Sequence, residues 1–85
     1  MKSFAYTVTD PVGIHARPAG LLAKKAKEFE SEIRIQKGDN SALATRLMAV
    51  MGLCIKCGDT VTVTVSGNDE DAAVKEMQSF FATQL

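Results

Sequence analysis

The chain has 85 residues, 46% of them hydrophobic, and ten Lys+Arg balance ten Asp+Glu to a formal net charge of zero. That length predicts one domain over 1–85, burying only about 60–65% of the surface its unfolded chain exposes. The charge balance excludes the basic footprint of a nucleic-acid binder, and five aromatics (four Phe, one Tyr) are too few for base-stacking platforms. No run approaches the roughly 20 apolar residues of a membrane helix. The N-terminus alternates and is broken by Asp10-Pro11, unlike a secretory signal. The expected location is the cytoplasm, with Cys54 and Cys57 as thiols in a reducing compartment.

In chain order, Phe4, Tyr6 and Val8 alternate and predict a strand over Ser3 to Val8. Asp10-Pro11-Val12-Gly13 reads as a turn. A helix starts close to His15, with Pro18 in its first turn. Ala19, Leu22, Ala23, Ala26 and Phe29 make its buried stripe, and Lys24, Lys25 and Lys27 lie outside it. Glu32 to Lys37 alternates again, Lys37-Gly38-Asp39-Asn40 is a hairpin signal, and Ser41 to Ala44 returns as a short edge strand. Leu47, Met48, Val50 and Met51 predict a short second helix with Thr45 as its N-cap, followed by a turn at Gly58-Asp59. Thr60 to Val65 alternates threonine and valine without a break, the clearest strand of all. Asn68 or Asp69 caps a last helix whose acidic start (Asp69, Glu70, Asp71) suits its positive end. Its buried stripe is Ala73, Val74, Met77, Phe80 and Phe81. The order β-α-β-β-α-β-α, with strands of two distinct faces, predicts a two-layer α+β domain whose helices cover one side of the sheet.

The one histidine, His15, stands at a loop-to-helix junction before Ala16, Arg17 and Pro18. A helix start presents unpaired N–H groups and a positive dipole end, which together favour an anion. Arg17 brings a guanidinium suited to phosphate, and Gly13 allows the backbone to turn sharply before it. A neutral imidazole is a nucleophile at neutral pH, and neighbouring positive charge disfavours imidazolium and favours an attached phosphoryl group. No partner carboxylate for a general base is evident, and no second ligand at metal spacing. On spacing alone, a surface residue or a cap is the commoner role of a lone histidine at such a place.

Gly13-Ile14-His15-Ala16-Arg17-Pro18-Ala19 resembles the active-site signature of the HPr family, the histidine-containing phosphocarriers of the bacterial sugar phosphotransferase system. The likeness covers nearly the whole chain, including Phe29-Glu30-Ser31-Glu32-Ile33, Leu47-Met48-Ala49-Val50-Met51-Gly52-Leu53 and the Gly67-Asn68-Asp69-Glu70 turn. It implies the open-faced β-sandwich, with a four-stranded antiparallel sheet and three helices on one face. It also implies that enzyme I, charged by phosphoenolpyruvate, passes phosphate to Nδ1 of His15, which hands it to the IIA domain of a sugar permease. Arg17 then stabilises the phosphoryl group and Pro18 starts the helix. The resemblance thus implies a covalent intermediate in a relay, with no turnover of its own, and no cofactor or metal is expected.

A relay protein needs a modest contact surface with an apolar centre and a charged rim. The residues assigned to partner binding are Gly20, Lys24, Lys27, Arg46, Leu47, Met48 and Met51, with Leu47 and Met48 partly exposed beside His15. The alternative for Leu47, Val50, Met51 and Cys54 is a shared inward face; for each lysine it is an ordinary solvated surface. The chain departs from many relatives in carrying Arg46 where they have a serine phosphorylated by a dedicated kinase. The regulatory serine is therefore absent, leaving Thr45, adjacent to Arg46, and the more distant Ser41 as the remaining hydroxyls nearby. Cys54-Ile55-Lys56-Cys57 follows a helix C-terminus, where a redox-active or zinc-binding pair is disfavoured. Cys54 is read as a small buried residue and Cys57 as an incidental thiol. The competing functions are a regulatory (nitrogen-type) phosphorelay protein, a non-catalytic regulator of the same fold, and a C-x-x-C redox module. The expected oligomeric state is a monomer.

Overall fold

The computed structural model describes residues 1–9 and 16–84, with side chains at 1–9 and 17–83. Four strands and three helices follow in the order β1 (Lys2–Thr7), α1 (Ala16–Ala26), β2 (Glu32–Lys37), β3 (Asn40–Leu43), α2 (Leu47–Gly52), β4 (Thr60–Ser66) and α3 (Glu70–Gln84). The sheet order is β1-β4-β2-β3, antiparallel throughout. Phe4 pairs with Val63, and Ile33 with Val65. Strict alternation therefore puts Ile33, Ile35, Val61, Val63 and Val65 on one buried face. The other face is polar, with Ser3, Thr7, Arg34, Gln36, Thr60 and Thr62 exposed to solvent. Thr7 and Thr60 are bonded across it through their hydroxyls at 2.9 Å.

The helices close the apolar face. Ala19, Leu22 and Ala26 of α1, Val50 of α2, and Ala73, Met77 and Phe81 of α3 are buried in one cluster with the strand residues. The ring of Phe81 packs edge-on against Phe4 and Tyr6 of β1. The tight hairpin is also as expected: Lys37 pairs with Asn40, and Gly38 takes φ 60. Asp39 has no positive φ, so the turn follows the II′ pattern.

Two local expectations change, and a third residue gains a further role. Thr45 is not the N-cap of α2. Arg46 holds that position in extended conformation with no side-chain cap bond, because an i→i+3 turn (Arg46 N–H to Leu43 O, 3.0 Å) places the helix start one residue later. Cys54 is exposed rather than buried. The chain leaves α2 through a left-handed turn at Cys54 (φ 53), so the helical period stops before reaching it and Ile55 goes inward instead. Asp69 does supply the first helical carbonyl of α3, to Ala73 N–H at 2.8 Å. Its carboxylate, however, reaches across the fold. It accepts the backbone N–H of Glu30 and of Ser31, each at 2.9 Å, and the Ser31 hydroxyl. Gly67 makes this clamp possible, since a β-carbon there would lie 2.6 Å from Ser31 Cα.

The Ser31 hydroxyl, followed by the Glu30 N–H, holds the Asp69 carboxyl below the usual carboxylate range. The clamp therefore stabilises the fold fully above the unfolded pKa of about 3.9 and loses that contribution as pH falls through the lower folded value. Asp59 and Glu70 are shifted the same way, by the Lys56 N–H and the N-terminal ammonium respectively. In urea titrations across acid pH, Asp69→Asn is expected to lower stability at neutral pH and to reduce the steepness of the acid-side loss. An unchanged acid slope would show that the clamp does not contribute.

Candidate functional site

α1 begins at Ala16, the residue after His15; His15 itself lies outside the described residues, as does Gly13. The helix that follows His15 in the chain is described. The first N–H groups of a helix lack intrahelical acceptors and form its positive end. No acidic residue stands in the first turn of α1 to neutralise it. Pro18 is buried within that turn, where its missing N–H costs no bond. Arg17 is exposed, so its guanidinium is available at the start of the helix.

Helical spacing carries one face of α1 outward from Arg17 through Gly20, Leu21 and Lys24, with Lys27 just past its end. Arg17, Leu21, Lys24 and Lys27 are exposed and Gly20 is half-buried. α1 packs against α2, which presents Leu47 and Met48, 36% and 75% exposed. Met51 is half-buried against the core and Val50 fully so, which settles the inward face of α2 on Val50. Leu21 of α1 is also an exposed apolar side chain, 42% exposed, and was not among the expected contacts. It adjoins Leu22 in a hydrophobic doublet; the available signal was its position four residues after Arg17, off the buried stripe.

The cations sort into two sets. Lys25 is drawn over the Phe29 ring at 5.9 Å from its centroid and reaches Glu76 at 3.2 Å and Glu28 at 3.6 Å. Its pKa is raised, first by the Glu76 hydrogen bond. Lys25 therefore ties α1 to α3. Among the described residues, no ion pair engages Arg17, Lys24, Lys27 or Arg46, and all four are exposed. An uncommitted cation at an exposed rim steers an acidic partner more than it stabilises the fold. Among the described residues no group of three or more His, Cys, Asp or Glu gathers at metal-binding distance. No helix there is long and apolar enough to cross a membrane.

Gly20 offers a clean test of this face. A β-carbon at Gly20 meets nothing within 4 Å. Gly20→Ala is expected to stabilise the chain by about 0.5–1 kcal/mol, since glycine inside a helix costs that much relative to alanine. A fall in thermal midpoint would contradict the open surroundings. Weaker binding of a phosphoryl donor by the stabilised variant would place a partner over this position.

A family model described as "PTS HPr component phosphorylation site" matches residues 2–83. The chain is 43% identical over 77 residues to the phosphocarrier protein HPr of Lysinibacillus sphaericus, covering 91% of this chain and 88% of that one. It is 40% identical over 78 residues to the HPr of Mycoplasma capricolum, covering 92% and 88%. A solved histidine-containing phosphocarrier protein of Mycoplasma superposes with a TM-score of 0.90 at 38% identity, covering 93% of this chain and 90% of that one. The helix start after a histidine, the open sandwich behind it and these matches lead to one conclusion: the chain belongs to the HPr family of phosphocarrier proteins of the phosphotransferase system.

Proposed function

We propose that His15 accepts a phosphoryl group from phospho-enzyme I and passes it to IIA domains of sugar permeases. The observation that carries this reading is the start of α1. Exposed Arg17 and a first turn of α1 without acids follow directly after the histidine. In the transfer, the lone pair of Nδ1 forms the N–P bond as the bond from phosphorus to the donor breaks, with the imidazole proton on Nε2. The incoming group brings negative charge, which Arg17 and the helix end stabilise in the product more than in the free imidazole. Much of the remaining barrier is lowered by the partner, which positions the phosphorus in line with the nitrogen.

Partners dock on the outer faces of α1 and α2. Leu47, Met48 and Leu21 form the apolar centre, with half-buried Gly20 and Met51 at its base and Lys24, Lys27 and Arg46 at its rim. Arg46 adds to this positive rim where a serine switch would stand. The chain acts as a cytoplasmic monomer in a single 1–85 unit, which suits a shuttle between larger proteins. A chase experiment tests the direction of flow. Chain carrying labelled phosphate is mixed with a IIA domain of a sugar permease and, separately, with one of a nitrogen-type relay. Rapid transfer to the sugar domain is expected; transfer to the nitrogen-type domain alone would replace the sugar relay by a regulatory one.

A further inference from the structure

Two thiols have no part in the carrier chemistry. Cys54 and Cys57 are both free and exposed, three residues apart in the connection from α2 to β4. That connection is bonded to the chain where it leaves β1. Val8 N–H donates to Asp59 O at 2.9 Å and Gly58 N–H donates to Val8 O at 2.8 Å. The Cys57 thiol donates to Thr9 O at 3.7 Å. A second set of bonds holds the connection in shape. Lys37 Nζ donates to Cys54 O at 2.7 Å and pairs with Asp59 at 3.0 Å, and Asp59 accepts Lys56 N–H at 2.8 Å. Cys57 thus sits one hydrogen bond from the segment that ends at His15. Cys54 occupies a left-handed conformation, φ 53, that a β-carbon disfavours and glycine takes freely. A thiol is carried there at a conformational cost, and no helix or strand rung separates it from Cys57.

We propose that Cys54 and Cys57 form a reversible dithiol–disulfide site, closed by low-molecular-weight disulfides, whose closed form slows phosphoryl uptake. The second half rests on the carrier reading above. Cys57 lies beyond the last turn of α2, where the helix end no longer opposes a thiolate; in the first step it attacks a disulfide RS–SR as the thiolate, forming the mixed disulfide and releasing one RS⁻. The Cys54 thiolate then attacks the Cys57 sulfur, forming the S–S bond and expelling the second RS⁻. The two thiols of the protein are oxidised, the small disulfide is reduced to two thiols, and the two protons lost by the cysteines end on those thiols. Closure consumes the Cys57 S–H and so removes its bond to Thr9. It also pulls on a connection bonded through both the N–H and the carbonyl of Val8, at the end of β1. A reducing cytoplasm keeps the site open, and an oxidising shift in the thiol pool closes it.

The test exposes the folded chain to excess glutathione disulfide at neutral pH, followed by non-reducing peptide mapping and by phosphoryl uptake from enzyme I and phosphoenolpyruvate. The expected product has lost two hydrogens, with Cys54 linked to Cys57. Its uptake is slower by up to about a hundredfold, the scale of a misplacement of about 1 Å at the reacting atom, and dithiothreitol restores it. Cys54→Ser and Cys57→Ser should each stop at the mixed disulfide, and the double variant should keep its rate under oxidation. A wild-type chain that stops at mixed disulfides, or a closed disulfide with unchanged uptake, overturns the proposal. A reduced chain that takes up no phosphate overturns the carrier reading and the uptake half with it; a closed disulfide in the same sample still establishes the dithiol site.

Discussion

Arg17→Ala is expected to slow phosphoryl uptake by about a hundredfold, the usual loss when a preorganised donor to a developing anion is removed. Its stability should stay within about 0.5 kcal/mol of the parent, because the side chain is exposed and carries no buried contact. The split between the two readouts is the point of the experiment. Among the described residues Arg17 pairs with no carboxylate. Arg17→Lys keeps the charge but loses the planar fork of donors, and should recover only part of the rate. Single-turnover uptake from phospho-enzyme I measures the effect. An unchanged rate in Arg17→Ala would remove the arginine from the mechanism.

The largest stability effect is expected at Phe81. Its side chain is fully buried, and its ring meets Phe4, Tyr6 and Phe80 edge-on at centroid distances of 5.7, 5.5 and 6.2 Å. Phe81→Ala should cost about 3–5 kcal/mol, combining lost burial with the cavity left behind. A domain of this size has a total stability of roughly 4–13 kcal/mol at the usual 0.05–0.15 per residue. The variant should therefore be close to unfolding, with a sharply lower urea midpoint. Phe81→Leu, which keeps much of the volume, should lose less. Loss in the alanine variant also bears on the site, since α3 packs on β1, the strand that leads into the segment before His15. A midpoint unchanged by the alanine would show that α3 does not anchor the core.

The sheet was readable in the sequence because one of its faces is wet. The Val–Thr alternation of β4 and the isoleucines of β2 separate inside from outside residue by residue, and the Lys37–Asn40 turn fixes the hairpin register. What was not readable depends on long-range contact. The Asp69 carboxylate serves a loop nearly forty residues away, which no capping rule anticipates. Lys25 parts company from Lys24 and Lys27 only through Glu76 on α3. Cys54 was misplaced because a periodic pattern does not announce the left-handed residue that ends it. Thr45 has the right chemistry for a cap, one residue too early. At the site, residue chemistry made His15 and Arg17 candidates for binding phosphate, and the match to a known signature raised them above an ordinary surface pair. Leu21 shows the complementary error, a hydrophobic residue assigned by type to neither core nor surface when its spacing put it outside.

The central claim is a phosphohistidine at His15. Incubation with enzyme I and labelled phosphoenolpyruvate, followed by acid and base treatment of the labelled chain, tests it most directly. The account predicts one label per chain, released in acid, retained in base and absent from His15→Ala. No label with cognate enzyme I, or an acid-stable label that persists in His15→Ala, would contradict it.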